Sequence, residues 1–363
     1  MRRRLPAWTG LPRLDPVLLS LIMLVIGFGL LVLYSATDQN LAMVYRQSLR
    51  LGVGIVVMLL VSQVPPYILR LWTPWLYVLG IALLLATLAF GVGRGTQRWL
   101  DVGVLRFQPS EIMKLAVPMM VAWYLHPAVL PPSWKVIGVS LVILTVPTLL
   151  IARQPDLGTA LLIAASGAFT LFLAGVRWRV ILTAAGVMAA AAPALWLVMK
   201  DYQRNRVLTF LNPEADPLGH GWNIIQSKIA VGSGGLLGKG WLHGTQSHLE
   251  FIPERHTDFI LAVLSEEFGF LGVALLMLVY MLLIARGLYI ASNARDTGSR
   301  LLAGSLSLTL FVYVLVNGGM VSGVLPVVGV PLPLISYGGT SAVTLLTGFG
   351  IMMSIYGHRK FIK

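Results

Sequence analysis

The sequence predicts an all-α integral membrane protein of about ten transmembrane helices, and three observations carry that prediction. Its 363 residues are 57% hydrophobic and 11% charged, against roughly a half and a quarter in a soluble domain. Apolar runs of about twenty residues recur along the chain, the length a helix needs to cross a bilayer. The alternation of a porin-like barrel is missing, and a bilayer admits only helices or closed barrels. The whole chain, 1–363, reads as a single polytopic membrane domain.

Window hydropathy places the spans at roughly 17–36, 47–64, 72–91, 110–126, 134–152, 157–176, 178–199, 258–286, 300–320 and 337–357. Arg2, Arg3, Arg4 and Arg13 open the chain, and Arg359, Lys360 and Lys363 close it. By the positive-inside rule both termini are then cytoplasmic, which an even number of spans satisfies. The first apolar run is too long for a signal peptide and lacks a small-residue cleavage site, so it reads as a retained span. A large extracytoplasmic loop, about 200–257, separates spans seven and eight. Near the C-terminus, NGGMVSGVLPVVGVPLPLISYGGTSA (317–342) holds too many glycines and prolines for one regular helix. Broken or re-entrant segments are expected there, and at that depth they must face protein or a water-filled cavity.

Composition also excludes functions. With no cysteine there is no disulfide, thiol catalysis or cysteine metal site. The net charge of +13 is scattered through short loops without a basic face beside stacking aromatics, so nucleic acid is not the partner. Twelve of the fourteen acidic residues fall on the outer side, leaving only Asp15 and Asp296 inside. An alternating-access transporter is expected to carry polar groups at mid-membrane and on both sides. The one-sided pattern favours an enzyme working at the outer leaflet.

Five of those acids, Glu250, Glu254, Asp258, Glu266 and Glu267, lie in LEFIPERHTDFILAVLSEE (249–267). Carboxylates in or beside a membrane are costly and mark functional sites. Asp258 is therefore placed at the mouth of a cavity, its plainer role being a cap for the eighth span. Pro253 prevents Glu250, Glu254 and Asp258 from sharing one helix face. At least one of Glu266 and Glu267, two turns deeper, needs a partner or a wet cavity.

In GVGRGTQRWLDVGVLRFQPSEIMK (91–114), Ser110 is the expected N-cap of the fourth span, with Glu111 in its first turn. Lys114 follows among Ile112, Met113, Leu115 and Ala116. A lysine there wants a carboxylate, and Asp258 is the expected partner, with a local pair to Glu111 the plainer reading. Trp99 alone reads as an interfacial belt residue, but between Arg98 and Asp101 it is also placed to stack on a sugar. Asp156, in ARQPDLGT, reads on its own as a helix cap. The run VGSGGLLGKGWLHG fails the phosphate-loop pattern at Ser233 and Gly240, so close backbone approach explains its glycines better. His243, His248 and His256 with Glu250 match no zinc spacing. Mg2+ or Mn2+ held through carboxylates and substrate phosphates is the more plausible ion.

The combination QRWLDVGVLRFQPSEIMK, RQPDLGTAL, GSGGLLGKGWLHGTQSHLEFIPERHTDFILAVLSEE and VLPVVGVPLPLISYGGTSA resembles the SEDS family, the shape, elongation, division and sporulation proteins. The likeness runs in order over nearly the whole chain and is closer to the elongation branch than to the division branch. It implies a ten-helix glycosyltransferase of the bacterial cytoplasmic membrane that polymerises lipid II into glycan strands. It further implies an extracytoplasmic site, a class B penicillin-binding protein as cross-linking partner, and no organic cofactor. By the resemblance Asp258 is the essential aspartate and Lys114 its ion-pair partner. Trp99 is then the loop tryptophan, and Arg98, Arg106, Glu111, Asp156 and Glu250 are cavity residues. The expected chemistry has ionised Asp258 deprotonate an acceptor hydroxyl while cations steady the leaving pyrophosphate. The alternatives are a lipid II flippase and a non-catalytic scaffold for the penicillin-binding protein.

Overall fold

The computed structural model describes residues 14–92, 98–101, 106–199, 201–215, 220–248, 251 and 254–359. Seven helices precede the large loop. These are α1 (Pro16–Ala36), α2 (Leu41–Gln63), α3 (Pro66–Phe90), α4 (Pro109–Leu125), α5 (Trp134–Arg153), α6 (Leu157–Leu173) and α7 (Trp178–Val198). The loop is helical, with α8 (Asp201–Leu211), α9 (His220–Ser233) and α10 (Thr245–His248). Three long helices close the chain, α11 (Ile260–Ser292), α12 (Thr297–Val321) and α13 (Thr340–Gly357). Among the described residues the β-structure is a two-residue pairing of β1 (Leu100–Asp101) with β2 (Arg106–Phe107), and one bridge from Val92 to Trp99. Seven helices are long and apolar enough to cross a bilayer. With α4, α6 and α7 they occupy the ten expected spans, and the protein is a multi-pass membrane protein.

Local chemistry sets the helix ends. Asp15 starts α1 by accepting from the N–H groups of Val17 and Leu18, with Pro16 at the first helical position. Helix α2 begins six residues before the apolar run because Asn40 caps it, accepting from Ala42 and Met43. Arg46 is thereby carried inside the helix along with Arg50. Ser110 is not the cap of α4. That position falls to Gln108, and Pro109, lacking an N–H, takes the first helical turn. Asp156 does cap α6, accepting from Thr159 N–H at 3.3 Å.

Two faces follow from the connectivity. The basal face is where α1 begins and α13 ends, and the site face lies at the opposite helix ends. The core runs between α1, α11, α12 and α13 through Leu18, Ile22, Tyr280, Leu283, Leu346 and Phe349, and a second cluster joins α4, α5 and α6. The large loop packs too: α9 buries Ile224 and Ala230, and Ser227 donates to Val321 O at the end of α12. Between α12 and α13, residues 322–339 run without a helix, as the glycines and prolines predict. Buried side chains meet the backbone groups freed there. Tyr280 donates to Pro333 O at 2.6 Å, and Gln47 bonds Ser336 O and both backbone groups of Gly338.

Candidate functional site

Asp258 lies in a turn, Glu254–Phe259, directly before α11, and it does not cap that helix. The N-cap position is Phe259, and no side chain caps there. The turn is held by its backbone. Asn317 of α12 donates from Nδ2 to Asp258 O at 2.9 Å and to Val330 O at 2.7 Å. Ser336 donates to Thr257 O, and Tyr337 N–H donates to His256 O. Thus the broken segment and the turn brace each other and fix the Asp258 backbone, while its carboxylate makes no hydrogen bond or ion pair among the described residues. Gly329 stands beside it: a Cβ there would sit 3.4 Å from Asp258 Oδ2, at ordinary contact distance. Burial raises the Asp258 pKa to about 6. The Glu254 charge pushes the same way, and Arg206 on α8 opposes it.

Lys114 sits a turn inside α4, buried, and donates to Glu111 Oε1 at 2.7 Å. Its expected pairing with Asp258 is not formed; the local pair takes its charge. The reason is register, since three residues along one helix bring Lys114 to Glu111 with no second helix to reach across to. Asp258 and Lys114 instead meet the same side of α12. Tyr313, whose ring centroid lies 5.5 Å from Lys114 Nζ, is four residues before Asn317. Residues so spaced stand about 6 Å apart on one helix face. Below Lys114 a cleft between α4, α12 and α13 is lined by Leu306, Leu310, Tyr313, Leu345 and Phe349. The Oε2 of Glu111 and Oδ1 of Asn317 are buried without a partner among the described residues.

Arg98, Trp99 and Asp156 come together on the same face. Arg98 donates to the carbonyls of Gln154 and Pro155 and lies 3.9 Å from Asp156 Oδ1. Gln108 donates to Asp156 Oδ2 at 2.7 Å. Both Arg98 and Asp156 therefore fasten the turn between α5 and α6 to the loop before α4. Trp99 stands at the bridge to Val92. The backbone of Arg106 pairs opposite Asp101, its side chain lies outside the described residues, and so does Glu250. No three His, Asp or Glu side chains converge among the described residues.

Glu266 and Glu267 find their partners at a kink of α11. Glu266 accepts from Lys239 Nζ at 2.6 Å, Thr245 Oγ1 at 3.0 Å and Gln246 N–H at 3.0 Å. Ser35 donates to Glu267. The kink is at Gly269, whose φ of 63° leaves the helical region. The glycine run wraps it so closely that a Cβ on Gly238 (φ 80°) would lie 2.1 Å from Glu267 O. That is close backbone approach, as the composition of the run predicts.

Sequence reasoning missed four residues here. Asn317 carried a signal, an amide inside an apolar run. Arg50 packs 4.7 Å from the Tyr337 centroid and pairs with no acid among the described residues. Its position near the turn is a product of α2 lying against the broken segment. Tyr313 and Arg206 join the site only through the packing of α12 and the placement of α8.

A ten-helix membrane bundle with an acid-bearing turn braced by a broken helix pair defines the class: a polytopic membrane protein. The family model for cell cycle proteins of the FtsW, RodA and SpoVE type matches residues 15–361, and the chain belongs to that family. It is 56% identical over 352 residues to the peptidoglycan glycosyltransferase MrdB of Escherichia coli K12, covering 96% of this chain and 95% of that one. Among solved structures it resembles a chain of a peptidoglycan synthase complex that coordinates polymerization and crosslinking, with TM-score 0.83 and 34% identity over 95% of this chain and 98% of that one. It also resembles the rod shape determining protein RodA of Thermus thermophilus, with TM-score 0.73 and 28% identity, covering 98% and 99%. The family expected from the motifs is the family found.

Proposed function

We propose that the protein is a peptidoglycan glycosyltransferase that polymerises lipid II into glycan strands for cell elongation. Its site then faces outward from the bacterial cytoplasmic membrane, both termini are cytoplasmic, and a class B penicillin-binding protein cross-links the product. The observation that carries the reading is Asp258, fixed through its backbone and with its carboxylate unpaired among the described residues, in a chain 56% identical to a protein of that name. A pKa near 6 keeps a base ionised at neutral pH yet basic enough to act.

In the reaction, Asp258 takes the proton of the acceptor 4-hydroxyl as that oxygen attacks the donor anomeric carbon. The bond to the polyprenyl pyrophosphate breaks, and its electron pair leaves with the pyrophosphate. A single displacement inverts an α-linked donor into a β-1,4 bond. Arg206 and Arg50, the latter with no acid partner among the described residues, are cations at hand for the leaving group. Lys114 and Glu111 act as a paired unit, so Lys114 does not set the charge of Asp258. Arg98 and Asp156 shape the loop that carries Trp99. Mg2+ or Mn2+ is proposed to travel with the substrate pyrophosphate, because the described residues offer no cage of three ligands for a resident ion.

Purified wild type and Asp258→Asn, given labelled lipid II and Mn2+ with and without a class B partner, test the reading. Wild type is expected to form polymer and the variant to lose about 10²–10⁴-fold in rate. Absence of polymer from wild type with its partner, alongside lipid II translocation in liposomes, would make the protein a flippase. Equal polymer from both would remove Asp258 as the base.

A further inference from the structure

We propose that the basal face holds a binding site for the headgroup of an anionic phospholipid, between the α4–α5 connection and the start of α7. This inference requires only a multi-pass membrane protein and is independent of the reaction at the other face. A cavity of about 450 Å3 opens there, lined by Val129, Pro131, Ser133, Trp134, Ile137 and Arg177, among others. Its volume falls within the range of small-ligand sites. Most of its wall is apolar and carries two successive prolines, which leaves Ser133 and Arg177 to recognise a ligand. Ser133 makes no side-chain capping bond to α5, so its hydroxyl is available.

Charge identifies the ligand as an anion. Among the described residues Arg177 has no ion pair, and neither have the nearby Lys135 and Arg179. The acids of this face are engaged elsewhere. Asp15 accepts from Arg286 at 2.7 and 3.0 Å, and Asp296 is bound by Arg70 and Ser299. An arginine with no carboxylate near it, at the edge of a bilayer, matches a phosphodiester in charge and in fork geometry.

The surroundings identify that anion as a lipid. Trp134, 70% exposed, lines the cavity, and Trp178, 66% exposed, directly follows the lining Arg177; exposed indoles at a helix start are suited to the headgroup level. Phe172 packs edge-on to Trp178 at 5.8 Å and holds it there. From the cavity, α5 presents exposed Val139, Val142, Val146 and Leu149. Their spacing of three, four and three residues makes one apolar stripe along the helix. A headgroup anchor, an interfacial aromatic pair and a track for an acyl chain thus succeed one another in the order of a phospholipid. Simple interfacial anchoring would need basic residues anywhere on this face; a site needs Arg177 in particular.

Native mass spectrometry of the full chain in detergent, titrated with phosphatidylglycerol or phosphatidylcholine, tests this. Wild type is expected to retain one phosphatidylglycerol about tenfold more tightly than phosphatidylcholine, the size of one charge-assisted contact to phosphate. Arg177→Ala and Arg177→Gln are expected to lose that preference while unfolding at the wild-type temperature, and Arg179→Ala, the same charge change outside the cavity, to keep it. The proposal is overturned if wild type shows no preference, if the Arg177 variants bind as wild type does, or if Arg179→Ala loses as much. Displacement of the lipid by millimolar inorganic phosphate would overturn the lipid assignment in favour of a free anion.

Discussion

Asp258 and Glu266 come from one stretch of chain, eight residues apart, and the protein surrounds them differently. At the kink Glu266 accepts three hydrogen bonds, one from Lys239, and is fully buried. In the turn the neighbours of Asp258 bind its backbone and leave its carboxylate alone. Burial of a charge is tolerated when it is paired and hydrogen-bonded, and is otherwise costly. The kink follows that rule, while the turn breaks it and is held in place by Asn317, Ser336 and Tyr337 from outside. An ionisable group with no partner among the described residues, yet held by so much surrounding structure, is the one proposed to react. A paired one of the same chemistry, about two turns away, is where the fold is fastened.

The sharpest test separates activity from stability at Asp258. Its pKa is raised on folding, so the folded chain takes up a proton more readily than the unfolded one. Any stability linked to this group is complete below the unfolded value of about 4 and lost as pH rises through about 6. At neutral pH the ionised carboxylate is therefore a burden on the fold. Asp258→Asn is expected to lose about 10²–10⁴-fold in polymerisation while unfolding at an equal or higher temperature, by roughly 1–3 kcal/mol of added stability. A variant that lost activity together with a lower unfolding temperature would make Asp258 a structural acid like Glu266.

Lys239→Ala is the mirror experiment. It removes the Lys239 cation from the buried Glu266 carboxylate, at a cost of about 1–3 kcal/mol. Thermal unfolding should show the loss, and the rate per folded molecule should stay within about threefold of wild type. Loss of rate at unchanged stability would place the kink in the reaction and erase the contrast drawn here.

The pH dependence of the wild type measures the turn alone. With Asp258 as base and a pKa of about 6, lipid II polymerisation should be level above pH 7. It should then fall roughly tenfold per unit below pH 6. Asp258→Asn should show no such limb in its residual rate. A wild-type profile flat down to pH 5 would mean that Asp258 ionises as an exposed carboxylate does, or is not the base.

Much of this was legible in the sequence, and the failures have physical causes. The ten spans follow from length and apolarity, which local sequence carries. Helix ends were less secure where a single side chain decides them: Asn40 extended α2, and Pro109 displaced Ser110 from the cap of α4. The irregular 322–339 segment was announced by its glycines and prolines, and the close approach of the glycine run to α11 by the failure of the phosphate-loop pattern. The expected Lys114–Asp258 pair does not form, because it depended on a distance between helices that local sequence does not carry, whereas the plainer Glu111 pair lies within α4. Arg206, Tyr313 and Arg50 reach the site by tertiary packing, and nothing in their local sequence marks them.

The finest test adds one methyl group beside the Asp258 carboxylate. Gly329 has φ 73°, and a Cβ there would meet Asp258 Oδ2 at 3.4 Å, ordinary contact distance with no clash. Gly329→Ala should cost about 1–2 kcal/mol of stability, because an L-residue is strained in the left-handed region. It should also strip water from one side of the carboxylate, and desolvation disfavours the ionised form. The acidic limb of the rate profile should therefore move upward, lowering the rate roughly twofold near pH 6 and leaving it unchanged at pH 8. A structural disturbance alone would reduce the rate by the same factor at every pH. Only a methyl acting on the ionisation of Asp258 makes the loss depend on pH, so the ratio of the two rates distinguishes a carboxylate that reacts from one that merely lies nearby.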